Sequence, residues 1–258
     1  MDLRAAVAGR DPIRLRPEDH TYLVTPASGE EVELGPSVSG VSTAFWGVFN
    51  AALMARRCGP AARKRATGNP DASDKELEAA WKANGDAAAE RGTAIHLIIE
   101  AYLLARNPDH GPPPRDAALL CPIVASWIDA QYPESEWDTI PEMIVYGRVY
   151  DGGRVIPGTI DLVAVNRLTG RVTLVDWKTG SVDDTKGRKD GLFGLPGTRM
   201  AKYSLQLGIY KLILEREYGA EVEALEVVQV TLGETPTVHP AKPEYTDDLC
   251  VSIVATTP

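Results

Sequence analysis

Two runs rich in Val, Ile, Leu and Thr lie near the middle of this 258-residue chain, where residues 155–177 read VIPGTIDLVAVNRLTGRVTLVDW. This composition predicts β-strands at residues 155–166 and 171–177. Leu168-Thr169-Gly170 between them has turn chemistry, so the simplest prediction is an antiparallel hairpin. Such a hairpin brings Asp161 of the first strand and Asp176 of the second strand side by side.

Lys178 lies two residues after Asp176, the second acid. Side chains alternate along a strand, so Asp176 and Lys178 project from one face while Val175 and Trp177 project from the other. Two carboxylates beside an amine suit phosphodiester hydrolysis, because hard oxygens bind Mg²⁺ or Mn²⁺ and an amine can orient or deprotonate a water. A surface ion pair is the structural alternative. The second acid-x-Lys triplet, Asp184-Thr185-Lys186, lies in a polar segment and is predicted to be a solvated loop.

Upstream of the hairpin, Gly92-Thr93-Ala94-Ile95-His96 runs into an apolar segment that predicts a helix. His96 and Glu100 are four residues apart, so they share one helix face and can reach the same ion or phosphate. An imidazole suits Mn²⁺ better than Mg²⁺. The alternative for His96 is a partly buried histidine satisfied by a hydrogen bond.

The same spacing recurs at Gln206 and Tyr210, within an amphipathic segment at residues 203–214 that also predicts a helix. Both side chains are expected to face the sheet edge. Taken alone, Tyr210 would be a core residue and Gln206 a boundary residue.

In chain order, these residues form four motifs: Gly-Thr-x-x-His, Gly-x-x-Asp, Asp-x-Lys-Thr-Gly and Gln-x-x-x-Tyr. Their order resembles the RecB-type branch of the PD-(D/E)XK nuclease superfamily, and the match covers roughly residues 90–215. Residues 36–41, PSVSGV, are similar to a segment that precedes the catalytic core in phage and mitochondrial genome maintenance exonucleases. The Pro-Asp pair that names the superfamily is absent, since Asp161 follows Ile160, as is usual in the RecB-type branch.

The resemblance implies an α/β fold class, with a restriction-endonuclease-like core in which helices flank a central mixed β-sheet, and with a helical N-terminal portion. We expect one nuclease domain over residues 1–258: a hairpin and helical elaboration at 1–85 and the catalytic core at 86–258. The resemblance also implies the roles of the site residues. The metal ligands would be His96, Asp161, Asp176 and the backbone carbonyl of Trp177; Lys178 would be the catalytic lysine, Glu100 would support it, and Gln206 and Tyr210 would hold substrate and site geometry.

Outside these motifs, sequence patterns predict the remaining elements. The predictions are a hairpin at His20–Leu34, a helix at Ser42–Arg57, a polar break at Gly59–Ser73, helical structure interrupted near Gly85 and Gly92 at Asp74–Leu104, a loop at Asn107–Pro114, a helix at about Asp116–Tyr132, a strand at Ile140–Tyr150, a helix at Met200–Tyr218 and a strand at about Val222–Leu232.

Three widely spaced cysteines, Cys58, Cys121 and Cys250, limit the cofactors. Several relatives in the superfamily carry an iron-sulfur cluster, which normally takes four thiolates. Three cysteines cannot supply them, so we predict no cluster. They also provide no disulfide framework, which fits a reducing compartment.

The net charge of −9 is unusual for a protein that binds nucleic acid, because affinity for phosphates depends on Lys and Arg. The distribution of the cations matters more than their sum. Arg56 and Arg57 form one cluster, and a second cluster lies between Lys178 and Gln206 and includes Arg188, Lys189, Arg199 and Lys202. We predict that both contact a phosphate backbone; a solvated face is the alternative.

Together these features predict a metal-dependent DNA nuclease, most simply an exonuclease that processes DNA ends in recombination, repair or replication, and a phage or virus is a compatible source. An endonuclease acting on DNA or, like the cap-snatching enzymes, on RNA, and an inactive nucleic-acid-binding module are the alternatives. DNA ends are the expected partner, and a recombinase or helicase partner fits that role. The sequence has no apolar run that could span a membrane and no secretion signal, so a cytoplasmic location or a host-cell DNA compartment is expected.

Overall fold

The computed structural model describes residues 3–46, 49–106, 118–182, 197–231, 233–242 and 245–257. The predicted loop at Asn107–Pro114 and the triplet Asp184-Thr185-Lys186 lie outside these ranges. The chain forms two compact units. One comprises residues 1–46 and 96–258, and the other comprises residues 47–95.

Eight helices and eight strands are found in the described ranges. The helices are α1 (Leu3–Ala8), α2 (Val38–Trp46), α3 (Ala51–Arg57), α4 (Pro60–Thr67), α5 (Asp74–Ala105), α6 (Pro122–Gln131), α7 (Arg199–Tyr218) and α8 (Asp247–Thr256). The strands are β1 (Ile13–Arg16), β2 (Thr21–Val24), β3 (Val32–Glu33), β4 (Trp137–Gly147), β5 (Ile156–Asn166), β6 (Val172–Lys178), β7 (Val222–Gln229) and β8 (Thr237–Pro240).

The first unit is built on a mixed sheet with strand order β4-β5-β6-β7-β8. Strands β4, β5 and β6 pair antiparallel, β6 and β7 pair parallel, and β7 and β8 pair antiparallel. Parallel neighbours need a crossover connection, and α7 lies in the connection between β6 and β7. The predicted α/β fold, with a mixed sheet and helices around it, is therefore confirmed.

The hairpin of β5 and β6 forms as the sequence predicts. The side-chain oxygen of Asn166 accepts hydrogen bonds from the backbone nitrogens of Leu168 and Thr169, both at 3.0 Å, which closes the turn. Gly170 follows with φ 72°, a left-handed conformation that favours glycine. Leu162 pairs with Val175, so the next position of the same register places Asp161 opposite Asp176.

Helix α7 is also predicted correctly. Its N-terminus is capped by Thr198, whose hydroxyl accepts from the backbone nitrogen of Ala201, and its C-terminus ends at the left-handed Gly219. Twelve of its residues are buried, which makes it the main helical contribution to the core of the first unit. It thereby holds the face bearing Gln206 and Tyr210 against the sheet.

The N-terminal hairpin is confirmed, but it is part of a larger sheet. Strands β2 and β3 pair antiparallel within His20–Leu34, and β1 adds a third strand with the order β1-β2-β3. Tyr22, Leu23 and Val24 of β2 are buried, so this small sheet contributes its own apolar face to the unit.

Two predictions for residues 42–73, one of a helix and one of a polar break, are wrong. The predicted helix at Ser42–Arg57 is two helices, because Asn50 accepts a hydrogen bond from the backbone nitrogen of Leu53 and starts α3 as a new helix. The predicted polar break contains α4, which begins with Pro60 at its first turn and ends at the left-handed Gly68. Helix α2 begins at Val38, before the predicted boundary.

The predicted interruptions in Asp74–Leu104 are also wrong, since α5 is one continuous helix of 32 residues. A glycine inside a helix costs only about 1 kcal/mol relative to alanine, and the many alanines around Gly85 and Gly92 are strong helix formers. Helix α6 is shorter than predicted, while β8 and α8 were not predicted. No helix in the described ranges has the length and apolar character needed to cross a membrane.

Candidate active site

Asp161 is placed by β5 and is tied to the neighbouring strand by its carboxylate. Its Oδ2 atom accepts a hydrogen bond from the backbone nitrogen of Trp177 at 2.8 Å. The same oxygen lies 3.7 Å from Nδ1 of His96. The predicted juxtaposition of Asp161 and His96 is therefore present.

His96 contacts the same peptide from its other ring nitrogen. Its Nε2 atom lies 2.9 Å from the carbonyl oxygen of Trp177. A carbonyl oxygen only accepts, so Nε2 donates and carries the proton in this contact. In a neutral ring, Nδ1 is then the lone pair, and it is the atom on the side of Asp161. The amide of Trp177 is thus held at its nitrogen by Asp161 and at its oxygen by His96.

Asp176 and Lys178 form the second part of the site. Lys178 Nζ donates to Asp176 Oδ1 at 2.7 Å, and Gln206 Nε2 donates to the same oxygen at 3.3 Å. The other oxygen, Asp176 Oδ2, is buried and has no hydrogen-bond partner among the described residues. The structure therefore brings the predicted acid, amine and amide together and leaves one carboxylate oxygen unsatisfied.

Burial and charge act in opposite directions on this pair. Burial raises the pKa of the Asp176 carboxyl above its usual range, although the Lys178 charge counteracts the shift. For Lys178, burial acts to lower the pKa, but the negative charges of Asp176 and Asp161 outweigh it, so the net shift is upward. The lysine is thus an ammonium ion at neutral pH when no metal is present.

Tyr203 was not singled out from the sequence, yet its ring covers the catalytic lysine predicted above. Lys178 Nζ lies 4.7 Å from the centroid of the Tyr203 ring, which is cation-π geometry. Tyr203 precedes Gln206 by three residues and Tyr210 by seven, so the helical spacing alone was a signal that these side chains share a face.

Tyr210 acts on the strand that carries Asp161. Its hydroxyl donates to the carbonyl oxygen of Thr159 at 2.7 Å, and its ring packs so closely on Gly158 that an added Cβ would lie 2.6 Å from ring atoms. The hydroxyl of Tyr22 lies 3.0 Å from that of Thr159. Tyr210 therefore holds β5 two residues before Asp161.

Glu142 is the acid that sequence reasoning missed. It lies on β4 beside Asp161, and burial raises the pKa of its carboxyl to about 8, with the charges of Asp161 and Glu100 adding to the shift. Glu100 is half-buried on α5, and burial raises its pKa as well. The strand at Ile140–Tyr150 was predicted. The position of Glu142, however, depends on the register between β4 and β5, in which Glu142 lies opposite a residue 19 positions later, Asp161.

A sequence model of the PD-(D/E)XK nuclease superfamily matches residues 73–249, well over half of the chain. The chain belongs to this nuclease superfamily. The match includes the hairpin of β5 and β6 and all of α5 and α7, so the four motifs predicted to carry the site lie inside it.

Other comparisons are more distant. No curated protein matches this chain. Among solved structures, the chain is similar to SSO0001, with 18% identity, a TM-score of 0.31, and coverage of 51% of this chain and 52% of that one. It is also similar to a candidate exonuclease from Eubacterium rectale, with 14% identity, a TM-score of 0.34, and coverage of 82% of this chain and 66% of that one. This chain spans less than two thirds of the length of either structure.

Nucleases of this superfamily use divalent metal ions, and the donors in this site fit one. His96, Glu142 and Asp161 each offer a ligand atom, and these atoms lie within 4.8 Å of one another. They supply an imidazole and carboxylate oxygens, which are suitable donors for such ions. The unsatisfied Oδ2 of Asp176 is a further oxygen without a partner in the described chain.

The residues predicted to bind nucleic acid do not form one cluster in the described chain. Arg188 and Lys189 lie outside the described residues. Arg199 donates to the carbonyl oxygen of Ser181 at 3.2 Å, and Lys202 donates to the hydroxyl of Thr43 at 3.0 Å. Burial, followed by the charge of Lys178, lowers the pKa of Lys202, so this lysine is electrostatically linked to the site. Arg56 and Arg57 are exposed at the end of α3, in the other unit.

Proposed function

We propose that this nuclease is a Mg²⁺- or Mn²⁺-dependent deoxyribonuclease, acting as an exonuclease on DNA ends. The observation that carries the proposal is the arrangement around Trp177, where Asp161 and His96 hold its peptide and the adjacent Asp176 and Lys178 form a buried pair. This arrangement supplies anionic oxygens and a cation at one place, which phosphodiester hydrolysis requires.

The proposed metal ligands are His96, Asp161, Asp176 and the carbonyl oxygen of Trp177. A divalent ion held there would supply Lewis acidity and a more acidic bound water. The imidazole of His96 favours Mn²⁺ over Mg²⁺ in this set, whereas the carboxylates accept either ion.

Lys178 is the proposed catalytic residue. Its ammonium group already donates to Asp176, so it is held by a charge-assisted hydrogen bond rather than extended into solvent. From this position it would orient the attacking water and offset the negative charge that develops on the phosphate. Gln206 fixes the same carboxylate oxygen, and Tyr210 fixes the strand of Asp161, so both are proposed to maintain site geometry. Glu100 is proposed to support the site from α5.

DNA is the proposed substrate, with Arg199 and Lys202 as phosphate contacts beside the site and Arg188, Lys189, Arg56 and Arg57 as further contacts. The charge of −9 makes such local cations necessary, because the chain as a whole repels a polyanion. Exonuclease action on ends, and a helicase or recombinase partner, rest on the resemblance of the motif order to the RecB-type branch.

An RNA endonuclease is a second candidate, and the specific observation that favours it is the histidine among the metal donors. In combining a histidine, acids and a lysine, the chain also resembles the cap-snatching endonucleases, which have a related core. The donors alone suit cleavage of either nucleic acid.

The test is digestion of linear and circular DNA, single- and double-stranded and labelled at each end, with RNA in parallel and with Mg²⁺, Mn²⁺ or EDTA. We expect metal-dependent loss of linear DNA only, which Lys178→Ala should abolish. Lys178→Gln serves if the alanine variant unfolds, and Lys75→Ala, an exposed lysine on α5, is the control. Cleavage of circular DNA would indicate an endonuclease, cleavage of RNA alone would favour the second candidate, and binding without cleavage would leave an inactive module.

A further inference from the structure

Glu142 and Asp161 face each other across neighbouring strands. Pro141 pairs with Leu162 and Met143 pairs with Ile160, so the register places Glu142 directly opposite Asp161. Like charges at directly opposed positions destabilise a sheet. Two opposed carboxylates in a partly buried position can therefore both be ionised only when a positive group lies near them.

The backbone at Glu142 differs from that of an ordinary strand residue. Its φ is 46°, and His20 is the other non-glycine residue with positive φ in the described chain. This left-handed conformation is uncommon for a residue with a Cβ. It coincides with the interruption in the ladder between Pro141 and Met143, and it brings a carboxylate oxygen of Glu142 into the group with His96 and Asp161.

Glu142 has no direct cation partner among the described residues. Within the described ranges its carboxylate accepts no hydrogen bond and forms no ion pair, whereas Lys178 is bound to Asp176. His96 uses Nε2 for the carbonyl of Trp177, so in a neutral ring Nδ1 is the lone pair, and it lies on the side of the acids. A nitrogen lone pair and two carboxylates within 4.8 Å of one another form a ligand set.

A second carboxylate next to Asp161 also has an oxygen without a partner. Asp176, on the other side of Asp161, is 3% exposed, and its Oδ2 atom is buried with no partner in the described residues. A buried carboxylate oxygen without a hydrogen bond is unfavourable unless a cation reaches it.

We infer that Glu142 is a ligand of the nuclease's divalent ion, together with His96 and Asp161. The inference rests on the metal dependence within the proposed function, and it adds a residue that lies outside all four sequence motifs. Glu142 would increase the negative charge around the ion and thereby its affinity, since affinity for a hard cation rises with the number of charged oxygen ligands.

The experiment measures Mn²⁺ binding by titration calorimetry on the full chain without nucleic acid. Glu142→Gln should weaken Mn²⁺ binding at least about tenfold, a loss of the size seen even when the partners of metal ligands are removed. Glu136→Gln removes the same charge from an exposed position just before β4 and should leave the affinity unchanged.

Thermal unfolding gives a second readout with the opposite sign. Without metal, Glu142→Gln should unfold at a higher temperature than the wild type, because the variant no longer buries an ionisable carboxyl opposite Asp161. With saturating Mn²⁺ the order should reverse, because the variant gains less from the ion. If Glu142→Gln does not fold, Glu142→Asp keeps the charge, shortens the side chain by one methylene, and should also weaken Mn²⁺ binding.

Unchanged Mn²⁺ affinity in Glu142→Gln, or in Glu142→Asp where only that variant folds, would overturn the inference. If the variant's Mn²⁺ affinity is unchanged and the wild type cleaves DNA in a metal-dependent way, the proposed function survives without Glu142 as a ligand. If the wild type binds Mn²⁺ through Glu142 but cleaves no nucleic acid, the inference stands and the proposed function fails. A wild type that binds neither Mn²⁺ nor Mg²⁺ would overturn both.

Discussion

The two halves of the site balance their negative charge differently. In the lysine half, formed by Asp176, Lys178, Gln206 and Tyr203, the carboxylate has an ammonium ion at 2.7 Å. In the carboxylate half, formed by His96, Glu142 and Asp161, two acids oppose each other and a protein cation is not paired with either in the described chain. The contrast supports the proposal that Lys178 supplies the positive charge in the lysine half and a divalent ion supplies it in the carboxylate half.

The two halves are expected to contribute differently to turnover and to metal affinity. The lysine half is organised before any ion binds, because its contacts are internal hydrogen bonds and a cation-π contact. In the carboxylate half, burial and the neighbouring acids raise the pKa of Glu142, which opposes its ionisation when no ion is bound. Substitutions in the first half should therefore affect turnover more than metal affinity, and substitutions in the second should affect both.

The largest effect is expected from Lys178→Ala. Loss of the ammonium group should lower the rate of phosphodiester cleavage at least about 10²-fold, the usual cost of removing a donor that stabilises charge in the transition state. It also leaves Asp176 buried without its cation, which should lower the free energy of unfolding by about 3–5 kcal/mol. Mn²⁺ affinity, measured by calorimetry, should stay close to that of the wild type. Loss of Mn²⁺ binding in a folded variant would mean that the two halves are not separable.

Asp161→Asn should affect both quantities. The amide keeps an oxygen that can accept from the backbone nitrogen of Trp177, but it removes the charge shared with His96 and Glu142. We expect Mn²⁺ binding to weaken at least about tenfold and cleavage to fall with it. Asp71→Asn, at an exposed position in the other unit, is the matched control. Unchanged metal affinity would remove Asp161 from the ligand set.

A smaller effect is expected from Tyr203→Leu. A cation-π contact contributes about 0.5–2 kcal/mol, so its loss should reduce kcat by about 2- to 30-fold through poorer placement of Lys178. Tyr203→Phe keeps the ring and should restore most of the activity, and KM should change less than kcat. If phenylalanine and leucine are equally impaired, the hydroxyl rather than the ring face is the important group.

The smallest expected effect is the pH dependence of stability without metal. Glu142 has a pKa of about 8 in the folded chain, above the value of about 4.3 for a glutamate in an unfolded chain. A raised carboxyl pKa contributes stability that is complete below the unfolded value and is lost as the pH rises through the folded value. The melting temperature of the metal-free protein should therefore decrease between about pH 5 and pH 8.5.

The same series in Glu142→Gln and with Mn²⁺ tests that assignment. The glutamine variant should lose less stability over this range, because it has no carboxyl to ionise at that position. Saturating Mn²⁺ should also flatten the wild-type curve, since the ion binds the ionised form. Parallel curves for wild type and variant would show that other groups cause the decrease.

The parts of the fold that the sequence predicts are those with local signals. The hairpin of β5 and β6 was predictable because Asn166 and Gly170 define its turn within five residues, and α7 because Thr198 and Gly219 cap it. Helix α4 had comparable signals, Pro60 at its start and Gly68 at its end, but its polar composition hid them. The unbroken α5 was missed because its glycines cost too little to end a helix rich in alanine.

The candidate site divides in the same way. The motifs placed His96, Asp161, Asp176 and Lys178 near one another, and the structure brings them together around one peptide. Glu142 was not predictable, because its position depends on the register between β4 and β5, which is determined by long-range pairing. Helical spacing indicates that Tyr203 shares a face with Gln206 and Tyr210, but the contact of its ring with Lys178 depends on how α7 packs on the sheet.

Trp177 presents its backbone and its side chain to different surroundings. Its carbonyl and amide groups belong to the site, while its ring is buried with a centroid 6.1 Å from that of Trp127 on α6. The indole is therefore covalently attached to a peptide that the ion is proposed to contact, yet it is shielded from solvent and substrate. Its fluorescence offers a label-free optical reporter of metal loading, with Trp127→Phe available to simplify the signal.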